Sequence, residues 1–195
     1  MANLFKVVFL GLVGFSLLVF LTAEKPKKII SNDNVLNIVK YEALPKAFEL
    51  VGVNNEIIKE SLFKKNQRTL IIVGNHDSLM VVKELPKYFK IDIPYVMVAN
   101  ISSAPWFVKK MFIPSKLEDL NEGTNIPMIY DFNGDMVNAL NLIDNTKTKY
   151  FAYILTKEGT ITKIYEGNVK GGALDGSMSE DEKKKVLEPL FTLLK

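Results

Sequence analysis

Thr69-Leu-Ile-Ile-Val73 is a continuous apolar run of strand length, Gly74-Asn75-His76-Asp77 turns the chain, and Ser78–Glu84 continues with helical spacing. No other stretch constrains the fold as strongly. A strand that is apolar at every position suits a buried place in a sheet, not a sheet edge with one wet face. The helix that follows aims its N-terminus at the loop, and the dipole there lowers the pKa of any thiol placed at that end. None of the 195 residues is a cysteine. Thiol–disulfide exchange needs a thiolate nucleophile, so that chemistry is excluded.

Charge and the N-terminus narrow compartment and partner. The net charge is +3, and Arg68 is the only arginine. Bidentate recognition of phosphates and base edges uses guanidinium forks, so no nucleic-acid partner is expected. The lysines read as solvated surface. Lys6 precedes the apolar run Val7–Leu21, and Ala23 stands before Glu24, the pattern of an export leader. The run is shorter than the about 20 residues that span a bilayer comfortably. The first reading is a cleaved signal peptide over residues 1–23. The second is an uncleaved anchor touching the membrane only through residues 5–23. Lys25, Lys27 and Lys28 oppose the positive-inside rule for that anchor. Both readings place the rest in the periplasm, free or held at the inner membrane. No disulfide can staple the fold, so the core alone must carry its stability.

Residues 24–45 read as an extension and 46–195 as one domain. Asn34–Tyr41 and Phe48–Val53 are expected strands, and Glu56–Phe63 a short helix. Pro86 should end or kink the helix that begins at Ser78. Pro94–Ile101 reads as a second buried parallel strand, and Pro105–Phe112 as a helix carrying the only tryptophan, Trp106. Ile126–Asp131 is a third strand, closed by the turn Asn133-Gly134, and Asp135–Leu142 is a short helix. Tyr150–Thr156 and Thr160–Tyr165 flank Lys157-Glu158-Gly159, a hairpin signature. The glycine-rich Gly167–Met178 is expected to be mobile. Ser179-Glu-Asp-Glu182 is a capping box opening a helix through Leu194. Val186, Leu187, Leu190, Leu193 and Leu194 form its apolar stripe.

This order gives an α/β fold, a three-layer sandwich around a mixed central sheet. It resembles the thioredoxin-like superfamily. Ile126–Gly134 together with Tyr150–Gly159 is similar to the peroxiredoxin-type half of that superfamily. The leader, the cysteine-free first loop, the hairpin and the capped last helix resemble the YtfJ-type group of exported bacterial proteins over residues 46–194. The resemblance implies a thioredoxin-like scaffold in which the Gly74–Ser78 region stands where Cys-x-x-Cys is presented. It supplies no established catalytic residue. Asn145–Lys149 leads into Tyr150 without the cis proline that catalytic relatives carry there.

His76, the only histidine, sits where a redox nucleophile would be. It invites a reading as ligand or general base at the C-terminal end of a strand. The plainer alternative is a loop histidine beside Asp77, with Asp77 capping the next helix. His76, Asp77 and Ser78 do not make a triad, because adjacent side chains point apart. His76 and Met80 are four apart and share a helix face, a spacing suited to a soft metal such as Cu(I). Asp131 and Asp135 flank a tight turn, but no glutamate stands at the last position of a calcium loop, so turn chemistry is expected. Trp106 and Phe107 either pack on the sheet or, if exposed, bind a partner. The expected function is therefore a non-redox binding or structural module of the cell envelope, with an envelope protein as partner and no cofactor. A copper or small-ligand carrier using His76 and Met80, and an enzyme of non-thiol chemistry, are the alternatives.

Overall fold

The computed structural model describes residues 8–9, 13–17 and 38–195; most of the leader and residues 34–37 of the first expected strand lie outside the described residues. The strands are β1 (Val39–Lys40), β2 (Ala47–Phe48), β3 (Ile57–Ile58), β4 (Thr69–Gly74), β5 (Tyr95–Asn100), β6 (Met128–Asp131), β7 (Lys149–Leu155) and β8 (Thr160–Asn168). The helices are α1 (Lys59–Leu62), α2 (His76–Val82), α3 (Leu85–Tyr88), α4 (Trp106–Met111), α5 (Ile113–Asn121), α6 (Asp135–Ala139) and α7 (Glu180–Leu194).

Six strands form one sheet in the order β1-β8-β7-β4-β5-β6, and β2 pairs with β3 in a separate ribbon. β4 runs parallel to β5, and β5 to β6, while β7 lies antiparallel to β4 and β8 to β7. The apolar run of β4 is thus explained: it lies between two strands and is buried at every position. Alternation along it feeds two cores. Leu70 and Ile72 face Leu79, Val82, Leu117, Leu187 and Leu190, which come from α2, α5 and α7. Ile71 and Val73 face Phe48, Phe63, Met136 and Leu140. Helices and loops on both faces of a mixed sheet make the three layers. The parallel pair, the antiparallel hairpin and the final helix are the thioredoxin-like arrangement.

Several local expectations are corrected. Ile57 and Ile58 are strand, not helix: these β-branched residues pair with Phe48 and Ala47, and the helix is only the single turn that follows. Leu50 makes an isolated bridge to Ile129, Val51 N donates to Met128 O (2.9 Å) and Tyr130 N to Glu49 O (2.8 Å), so residues 49–51 cover the edge of β6. Pro86 does not terminate the helix after β4. That helix ends at Val82, and Pro86 sits in the first turn of α3, where a missing N–H costs nothing. Helix α5 has no counterpart among the elements expected from the sequence. On α7 the stripe is Leu187 and Leu190 with Val186 and Leu194 beside them, while Leu193 is exposed.

The N-terminus of α7 is tied by charge to α3 and to Glu84, the N-cap of α3. Lys183 Nζ donates to Glu84 Oε1 (2.9 Å) and Glu180 Oε1 (3.2 Å), and Lys87 and Tyr88 both donate to Glu180. Hydrogen bonds from Lys87, then Tyr88 and Lys183, hold the Glu180 carboxyl down to about 2. Burial alone would raise Glu84, but Lys183 and Tyr88 outweigh it and its pKa is lowered. Both folded-state values lie below the ordinary 4.5, so the stability they contribute is present above that value and is lost as pH falls below it. Asp131 works with the opposite sign, since burial raises its pKa and protonation relieves a penalty. The urea midpoint is expected to fall between pH 5 and pH 3, and Glu180→Gln should flatten that slope. A wild-type slope unchanged by the substitution would show that the network contributes nothing.

Candidate functional site

The parallel strands β4, β5 and β6 end side by side, at Gly74, Asn100 and Asp131, and the loops beyond these ends form the position open α/β sheets favour for sites. At the end of β4 the chain enters α2 through Asn75, whose backbone is extended (φ −98°, ψ 177°). Asn75 is the N-cap, not Asp77. The Asn75 side chain accepts from the backbone of Ser78, and Asn75 N donates to Ser78 Oγ (3.0 Å), a reciprocal capping box. Gly74 makes the closure feasible, because a Cβ there would collide with Ser78 Oγ. Asn75 and Ser78 stand at the i, i+3 spacing of a Cys-x-x-Cys pair, and they close on each other.

The neighbouring polar side chains are spent the same way. Asp77, buried, accepts from Leu174 N at Oδ1 (3.1 Å) and Gly172 N at Oδ2 (3.3 Å). It therefore holds the glycine-rich loop, which forms a 3-10 turn over Ala173–Asp175 and buries Val169, Ala173 and Met178. The expectation of mobility for this loop is corrected accordingly. Asn75 Nδ2 donates to Asn145 O (2.9 Å) and Asn100 Nδ2 to Asp144 O (3.5 Å), which fixes the segment leading into β7. Asp131 accepts from Met136 N and Val137 N, each at 3.0 Å, and so caps α6; this is the turn chemistry expected of it. Lys109, almost fully buried, donates to Ser102 O (3.1 Å) and Phe132 O (3.0 Å), and its ammonium lies 4.7 Å from the centre of the Phe132 ring. A lysine inside an apolar helical pattern reads as solvated. Only the carbonyls that tertiary folding brings to it reveal its role.

His76 is the exception. It is the first residue of α2, its side chain is 47% exposed, and Nε2 lies 4.0 Å from Asp77 Oδ2. Met80 packs partly buried against the core. Trp106 and Phe107 do not act as an exposed pair: Phe107 is buried and Trp106 is 54% exposed. Clefts of about 290 and 190 Å³ open elsewhere, the first beside Glu49, Glu118 and Tyr130 and the second beside Lys64 and Lys157. Neither is lined by His76, Met80 or Trp106. Among the described residues no group of three or more His, Asp or Glu side chains is placed to hold a metal ion.

Asp77→Ala should release residues 171–178. Limited proteolysis is expected to cut there in the variant and not in the parent, with a stability loss of about 1–2 kcal/mol from two lost hydrogen bonds to a carboxylate. Equal resistance in both proteins would show that packing alone holds the loop.

These features define a mixed α/β sandwich of thioredoxin-like topology in which the helix end beyond β4 is closed by a capping box. No family model matches the chain, and no curated protein does. Similar solved structures include an uncharacterised conserved protein from Geobacillus kaustophilus (16% identity, 83% of this chain and 84% of that one, TM-score 0.46). Peroxiredoxin Q of Xanthomonas campestris is another (14%, 80% and 97%, TM-score 0.45). A third is a secreted disulfide oxidoreductase of Mycobacterium tuberculosis homologous to E. coli DsbE (13%, 78% and 96%, TM-score 0.41). At such identity and overlap none of them lends this chain an activity. No helix among the described residues is long and apolar enough to cross a membrane.

Proposed function

We propose that the chain is an exported, non-redox thioredoxin-fold protein, a binding or structural module of the bacterial cell envelope similar in kind to the YtfJ-type proteins. The observation that supports this reading is the use made of polar groups at the ends of β4, β5 and β6. Asn75, Ser78, Asp77, Asn100, Lys109 and Asp131 all bond to backbone, and their partners hold loops or cap helices. Catalytic groups have free valences aimed at a substrate, whereas these are consumed by the scaffold. Binding through the outer surface needs no such valence.

The test is chemical cross-linking in intact cells, followed by fractionation and identification of what is joined to the chain. A single envelope protein recovered reproducibly from the periplasmic or inner-membrane fraction is expected. Recovery of the domain from the cytosol with its leader intact would overturn export. Cu(I) titration of the wild type and of His76→Ala is the second arm. Tight one-to-one binding lost in the variant would replace this reading with that of a carrier using His76 and Met80. An insulin-reduction assay should match buffer.

A further inference from the structure

Six of the seven methionines lie among the described residues, and packing accounts for five of them. Met97 on β5, Met128 on β6 and Met136 on α6 are buried in the two cores. Met178 is buried at the end of the glycine-rich loop, where its Sδ accepts from Lys170 N (3.4 Å). Met80 packs partly buried against the core. Met111, the last residue of α4, is different. At 69% it is the most exposed of the large apolar side chains among the described residues. A thioether is core filler by its chemistry, and at that exposure it gains nothing from burial. Exposure instead opens the sulfur to oxidants in solution. The chain has no cysteine, so no thiolate competes for them.

We propose that Met111 is a reversible oxidation site, its thioether taking one oxygen atom from a peroxide while the fold stays intact. In that step a sulfur lone pair attacks one peroxide oxygen and the S–O bond forms. The O–O bond breaks, its electron pair leaves with the second oxygen, and the proton on the transferred oxygen moves across to give water. Sulfur is oxidised and the peroxide is reduced, and no other group of the protein has to supply a proton or an electron. A buried methionine reacts only through an opening of the fold, at a rate that the opening limits. Sulfoxide at Met97, Met128 or Met136 would also put a polar oxygen into a core. Sulfoxide at Met111 faces water, between exposed Lys110 and exposed Phe112 in sequence. It turns an apolar side chain at the start of the α4–α5 corner into a polar one. The proposal is independent of export and of any partner.

The full chain is treated with dilute hydrogen peroxide, folded and in urea, and its tryptic peptides are followed by mass spectrometry. Met111 is expected to gain oxygen at nearly the same rate in both conditions. Met97, Met128, Met136 and Met178 should react roughly tenfold or more slowly in the folded chain than in urea. The protein oxidised at Met111 should keep the urea midpoint of the parent, and a peptide methionine sulfoxide reductase should return it to its starting mass. Oxidation of Met111 as slow as that of the buried methionines would overturn the assignment. A lowered urea midpoint after its oxidation would overturn the claim that the fold stays intact. Resistance of the folded sulfoxide to the reductase would overturn reversibility.

Discussion

Leu190→Ala is expected to lower folding free energy by about 2–5 kcal/mol, read as a lower urea midpoint with an unchanged slope. Leu190 is fully buried on α7, in the core that also contains Leu70, Leu79 and Leu187. Truncation removes the transfer free energy of the lost carbons and leaves a cavity. The surroundings cannot readily collapse into it, because β4 behind it is pinned by strands on both sides. Ser179→Ala on the same helix should cost only about 0.5–2 kcal/mol, because it removes a capping oxygen near solvent. Similar losses in the two variants would contradict the packing of α7 described above.

Gly167→Ala is the second substitution with a large expected effect, about 3 kcal/mol, at the upper end of what overpacking costs. Gly167 on β8 lies opposite Tyr150 on β7, and its α-carbon is covered by the Tyr150 ring so closely that a Cβ would overlap it. The ring cannot swing aside. It is fully buried, and its hydroxyl donates to Val186 O (3.1 Å) on α7. Gly167 is therefore required by contact and not by backbone conformation. Combining the change with Tyr150→Phe should recover little, since the overlap is with the ring itself. A thermal melt of Gly167→Ala that matches the parent would show that the hairpin slides to make room.

What the sequence conveyed follows a physical division. Segments that carry their signal in their own residues are readable: β4 and β5 from their apolar runs, the β7–β8 hairpin from Lys157-Glu158-Gly159, and the start of α7 from its capping box. Elements decided by a distant partner are not. Ile57-Ile58 became strand because Ala47-Phe48 lay opposite, and the glycine-rich loop became ordered because Asp77 reached it from 95 residues away. The candidate site shows the same split. His76 was found at the N-terminus of α2 as expected. The cap is Asn75 and not Asp77, and Asn-x-x-Ser at the helix start is its local signal. The buried position of Lys109 had no local signal, because its carbonyl partners come from the ends of two different strands.

The clasp between Asn75 and Ser78 has a consequence for how such a scaffold accumulates stability. A reactive helix end must keep its strongest hydrogen-bond donors free for an incoming group, so the fold tolerates a weak point where it is most positively polarised. Here the same place is filled by the capping groups of Asn75 and Ser78. Three loops meet here, and each is tied to this end of α2 or to its neighbours by a side chain. Opening the clasp would therefore loosen the approach to β7 and the glycine-rich turn together. In this protein that end of α2 is a fixed corner, closed by its own side chains and tied to the loops around it.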